Sequence, residues 1–158
     1  MSCERIGADP AQNGGDDLGR NDERISGVMK HRIERGWTDA EFIARRTSGF
    51  DELRAHVEGL AWEKLEETSG QSRADMLRFA EQYARAKTAV FVYSVGLTQH
   101  RFGVDNVKAL AIAALARGML GREKCGVMPI RGHSGVQGGS ECGVDPDKLP
   151  GGFEVASA

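Results

Sequence analysis

The chain has 158 residues, of which 40% are apolar and 28% charged, enough apolar content for one packed domain and too much for a disordered chain. Lys+Arg 21 against Asp+Glu 23 leaves a formal charge of -2, which excludes a nucleic-acid protein held by a broad basic face. No stretch is long and apolar enough to read as a membrane span, and the early residues Asp9, Asp16, Asp17, Asp22 and Glu23 interrupt any secretory signal.

Residues 1–21 show no periodicity and are rich in Gly, Asp and Asn, an irregular lead-in. From Asp22 the pattern turns helical: Ile25, Val28, Met29 and Ile33 share one helix face, which Gly36 ends. Thr38 and Glu41 have the spacing of a capping box, with Thr38 as the expected N-cap of a short helix carrying Phe42 and Ile43. Phe50, Leu53, Val57 and Leu60 continue with helical steps, and Trp62 and Leu65 extend the apolar surface. Ser72 with Asp75 caps a further helix whose stripe is Met76, Phe79, Ala80, Tyr83 and Ala84. His31 and His56 fall on these helices among charges and are expected to face solvent.

The character changes at Lys87. Thr88 to Val95 is a β-branched and aromatic run without alternation, as expected of a strand buried on both faces in a parallel sheet. Gly96 ends it. A polar loop follows through Thr98, Gln99 and His100, and Asp105 is the expected cap of a helix over residues 106–119 that is apolar nearly all round. This order of strand, loop and helix belongs to the carboxyl edge of an α/β sheet, where ligands commonly sit. With one strand evident, a parallel sheet lacks partners, so the chain reads as part of a layered domain whose other strands lie elsewhere.

Two loops carry groups suited to ligand chemistry. Gly96 to Asp105 presents Thr98, Gln99 and His100 beside a helix start that favours an anion; the same residues equally suit an ordinary loop. Residues 131–139 read RGHSGVQGG. Their glycines free backbone N–H groups to cradle phosphate oxygens, Arg131 offers a forked donor for a carboxylate or phosphate, His133 suits proton transfer near neutrality, and Gln137 can read a planar ring edge. A solvated Gly-rich turn remains an equal alternative on composition. The segment is neither a Walker A loop nor a dinucleotide fingerprint. Glu141 lacks a second carboxylate for acid–base work. Cys3, Cys125 and Cys142 are odd in number and widely spaced; they form neither a disulfide framework nor a metal knuckle, and a reducing cytoplasm is the expected setting.

The stretch VFVYSVGLTQHRFGVDNVKALAIAALARGMLGREKCGVMPIRGHSGVQGGSECG resembles the molybdopterin-dependent oxidoreductases of the formate dehydrogenase catalytic-subunit type. The earlier segments GWTDAEFIARRTSGFDEL and SGQSRADMLRFA resemble the part of that family preceding this motif. The resemblance implies an α/β fold: a helix-rich fragment of a layered, Rossmann-like domain with few parallel strands. It implies a partial domain over residues 22–152, with a helical part at 22–87, a strand–loop–helix and Gly-rich loop at 88–152, and a tail at 153–158. The family's cysteine-rich iron–sulfur segment, its ligand to molybdenum and its C-terminal cofactor domain have no counterpart, so the chain reads as an internal slice or a truncated reading frame that is inactive alone.

By the same resemblance the complete protein holds molybdenum or tungsten on two pterin guanine dinucleotides, carries an iron–sulfur cluster, and oxidises formate or a related small substrate to carbon dioxide, passing electrons to a further partner. Arg131 would hold the substrate carboxylate and His133 would assist proton movement. Gly96, Gln99, Gln137 and Gly138 would line the pterin dinucleotide, and no metal ligand is assigned. His133 stands where several formate dehydrogenases have Gln. The remainder of the catalytic subunit is the expected partner, with no nucleic acid and no membrane span. A non-catalytic nucleotide-binding or assembly module, or an inert truncated product, is the alternative.

Overall fold

The computed structural model describes residues 21–99, 101–133, 135–144, 147–151 and 153–155. Five helices come first: α1 (Asn21–Glu34), α2 (Ala40–Arg46), α3 (Phe50–Gly59), α4 (Trp62–Ser69) and α5 (Arg73–Arg85). Strand β1 (Val90–Tyr93) and two helices, α6 (Val95–Thr98) and α7 (Gly103–Leu115), follow. The chain then forms β2 (Gly126–Pro129), α8 (Val136–Glu141), β3 (Lys148–Leu149) and β4 (Phe153–Glu154). The fold is mixed α/β and helix-rich, as the sequence predicts.

Helix α1 is the centre, packed against α3, α4, α5 and α7. Its consecutive Val28 and Met29, each 1% exposed, point to different neighbours: Val28 joins Leu65, Met76 and Ala80, while Met29 joins Ala113 and Ala116 of the α7 region. A helix apolar on two sides is covered on two sides. A third cluster of Tyr83, Ala114 and Met119 carries the packing on to Phe91 and Val127 of the strands. α1 ends as its glycine predicts. Gly36 has φ +66, its N–H donates to Ile33 O at 3.0 Å and the Trp37 N–H to Arg32 O at 2.8 Å, a Schellman closure that an L side chain would strain.

The caps divide. The Ser72 hydroxyl accepts from the Asp75 N–H, as predicted. For α2 the cap is Asp39 rather than Thr38: its carboxylate accepts from the Phe42 N–H at 2.9 Å, and a carboxylate at a helix start also meets the positive end of the dipole. The α7 cap is Phe102 without a side-chain bond, and Asp105 sits inside the first turn. His31 also departs from its expected exposure. It is buried at 7% exposure, edge-on to the Trp37 ring with centroids 5.4 Å apart, because the closure at Gly36 folds Trp37 back over α1. His56 is exposed, as expected.

β1 and β2 pair in parallel, Val90 opposite Gly126 through Tyr93 opposite Pro129. β3 and β4 form a small antiparallel pair. The expectation of a strand buried on both faces fails within this chain: Phe91 packs inward, its ring T-shaped to Tyr83 at 5.4 Å, whereas Val90 and Val92 are 52% and 50% exposed. Met128 of β2 and the following Ile130, 49% and 52% exposed, fall on that same open side by the register and the two-residue repeat of a strand.

Candidate functional site

Because β1 and β2 run parallel, the segments leaving them emerge at one sheet edge, and these are the two loops singled out in the sequence. The Ile130 N–H donates to Tyr93 O at 2.7 Å, and the Ser94 hydroxyl donates to Ile130 O at 2.8 Å. One step further the loops stay adjacent: a Cβ added at Gly132 would lie 3.8 Å from Val95 Cγ1.

The first loop is α6, where the sequence leads one to expect an irregular polar segment. Two residues of α7 hold it. At Gly103 a Cβ would overlap the Thr98 carbonyl oxygen, so only glycine lets α7 begin against that turn. Asn106 is fully buried; its Nδ2 donates to Leu97 O at 3.2 Å, and its Oδ1 accepts from the Asp22 N–H at 2.9 Å. One amide thus ties the site loop, α7 and the start of α1, with donor and acceptor both used. Sequence reasoning missed both residues; a polar Asn in the first turn of a helix that is otherwise apolar nearly all round is the signal that could have found Asn106. Gly96 and Gln99 are exposed on α6 and just after it. His100 lies outside the described residues.

In the second loop Arg131, Gly132 and His133 are exposed. Gly135, at φ +74, precedes α8 without a side-chain cap. Arg131 Nε donates to Gln137 Oε1 at 3.4 Å, and Gln137 Nε2 donates to Glu141 Oε1 at 3.4 Å. The Gly151 N–H donates to Glu141 O at 2.8 Å, tying α8 to the β3–β4 pair. The structure therefore joins Arg131 to Gln137 directly and sets Gly96 on the same edge, while among the described residues no hydrogen bond links Gly96 or Gln99 to the second loop.

A Cβ at Gly96, Gly138 or Gly139 would meet nothing within 4 Å. Packing inside this chain does not call for glycine at these places; an external group lying close on the backbone would. That open strip, a forked guanidinium and a Gln amide fit a phosphate-bearing pterin nucleotide and a small carboxylate. Among the described residues no cluster of His, Cys, Asp and Glu could hold a metal ion, and no helix is long and apolar enough to cross a membrane.

Outside this edge, Cys125 lies half-buried against Met119 while Cys142 is exposed, and both are free thiols. Burial pushes the Cys125 thiol up, but the Arg122 Nε–H donated to its sulfur at 3.2 Å, the Ala89 backbone and the guanidinium charge together outweigh that and leave it below the ordinary thiol range.

No protein-family model matches the chain. It is 39% identical over 140 residues to F420-dependent formate dehydrogenase 2 subunit alpha of Methanococcus maripaludis, covering 89% of this chain and 21% of that protein. It is 40% identical over 119 residues to formate dehydrogenase H of Escherichia coli, covering 75% of this chain and 17% of the other. Among solved structures, acetylene hydratase from Pelobacter acetylenicus matches with a TM-score of 0.63 at 20% identity, over 67% of this chain and 15% of that one. The chain thus spans about a fifth of the length of these relatives.

Proposed function

Since the chain is homologous to formate dehydrogenase alpha subunits and has the fold of a segment of acetylene hydratase, we propose that it forms the substrate- and cofactor-facing edge of a larger formate dehydrogenase-type catalytic subunit. The observation that carries the reading is the meeting of two loops: Arg131 and the glycine strip after β2 emerge beside the Gly96 turn after β1. That is where parallel sheets hold ligands.

In this reading the Nη ends of Arg131 grip the carboxylate of formate, or of a related small acid, by paired charge-assisted hydrogen bonds. His133, on the same exposed loop, takes the released proton on an imidazole nitrogen and passes it to solvent. Gly96, Gln99, Gln137 and Gly138 lie along the pterin guanine dinucleotide, the glycines through backbone N–H groups and the glutamines through their amides. When bound, that cofactor's molybdenum or tungsten takes up the two electrons of the oxidation. This chain supplies position and charge, and the metal ligand, the iron–sulfur cluster and the electron acceptor belong to other parts of the subunit and its partners. The scattered cysteines support a reducing, cytoplasmic setting.

The test is direct. The complete subunit, purified without oxygen, is given formate and a viologen dye, and carbon dioxide is measured beside dye reduction. Formate-dependent reduction with matching carbon dioxide is expected; a cofactor-loaded subunit inert to formate and to other small carboxylic acids overturns the reading.

A further inference from the structure

The contacts around Arg131 assign a role to a residue that the substrate reading leaves idle. Helix α8 sets Gln137 and Glu141 one turn apart, where side chains meet. The Glu141 carboxylate only accepts, so it takes the NH2 end of the Gln137 amide. That leaves the amide oxygen to face Arg131 Nε. The opposite amide orientation would set donor against donor at the guanidinium and leave the carboxylate facing an oxygen. With Nε engaged by Gln137, the two Nη groups of Arg131 remain as the fork for a carboxylate. Glu141 is itself anchored through its carbonyl, which accepts from the Gly151 N–H at 2.8 Å.

We propose that Glu141, acting through Gln137, is a positioning residue that orients the Arg131 fork toward the substrate carboxylate. The proposal rests on Arg131 as the carboxylate-binding group and deepens that reading. It gives Gln137, set along the cofactor in that reading, a second part as the middle of an Arg–Gln–Glu relay, since its amide has two N–H donors and two acceptor sites. The contacts are long, at 3.4 Å each, and all three side chains are exposed, so the relay acts on orientation and adds little to folding.

Two measurements separate the relay from the reading beneath it. In the 158-residue chain carrying isotope-labelled arginine, the Arg131 Nε–H resonance is assigned by its loss in Arg131→Lys. It is expected to shift toward the position of a free guanidinium, with faster solvent exchange, in Gln137→Ala and Glu141→Ala. It should stay in place in Glu141→Gln, which keeps an acceptor oxygen, and in Glu123→Ala, whose side chain pairs with Lys124. In the complete subunit, Glu141→Ala is expected to raise the formate KM about fivefold with kcat within about twofold, the pattern of lost uniform binding, and Glu141→Gln to restore it. A resonance unmoved by Glu141→Ala overturns the relay whatever the kinetics. A shifted resonance together with formate turnover indifferent to Arg131→Ala overturns the substrate reading, and the specificity role of Glu141 falls with it.

Discussion

Two residues set the tightest constraints. A methyl group at Gly103 would meet the Thr98 carbonyl, so Gly103→Ala must push α6 away from α7; a loss of at least ~2 kcal/mol is expected in urea unfolding, the scale of overpacking at a rigid contact. A midpoint unchanged from wild type would mean the turn yields freely. Tyr83 is 4% exposed, and its hydroxyl donates to Ala113 O at 3.0 Å. Burial pushes its pKa up to about 12, with the Arg32 guanidinium pulling the other way. The folded chain therefore keeps a proton that the unfolded chain releases near ~10. The stabilisation is complete below that pH and falls as pH rises to about 12, by on the order of 2–3 kcal/mol. Urea midpoints across this window should fall more steeply for wild type than for Tyr83→Phe; equal slopes would contradict the burial argument. Neither constraint was legible beforehand. Gly103 reads as a loop glycine and Tyr83 as one more stripe residue, because a close approach and a buried hydroxyl depend on partners far along the chain. Arg131 and the glycines around it were legible, since their chemistry is local to one loop.

Among elements, α1, α3, α5 and α7 were read from their apolar patterning because each buries residues against its neighbours, whereas the short α6 and α8 bury none of their residues and were expected as loops. β2 escaped. Gly126–Pro129 is four residues bounded by a Gly and a Pro, too short for alternation to register, and it is a strand because β1 is beside it. The N-cap at Asp39 instead of Thr38 is a one-residue competition between two capping side chains, which spacing alone does not decide. β1 carries a contrast that can be measured. Val92→Glu on the open face should change the stability of this chain by less than ~0.5 kcal/mol. Phe91→Glu, placing a charge against Tyr83, should cost ~3 kcal/mol or more. Comparable losses from both would show that the Val92 face is covered after all.

For the whole molecule, the open sheet face and the open glycine strip have one explanation. The chain matches about a fifth of its relatives' length, and in the proposed function the remainder of the catalytic subunit covers the open strand face. The sequence implied missing strands from a count of one, which β2 corrects by pairing with β1; the exposed Val90, Val92, Met128 and Ile130 mark where the two-stranded sheet stays open. In the proposed function the loop edge of this sheet faces substrate and cofactor, and Arg131 is the side chain on which that proposal turns. The most direct measurement is steady-state formate oxidation by the complete subunit carrying Arg131→Ala, with cofactor content checked against wild type. Loss of a forked, charge-assisted grip should lower kcat/KM by about 100-fold at equal cofactor loading, chiefly through KM. Wild-type kinetics in that variant would contradict the account.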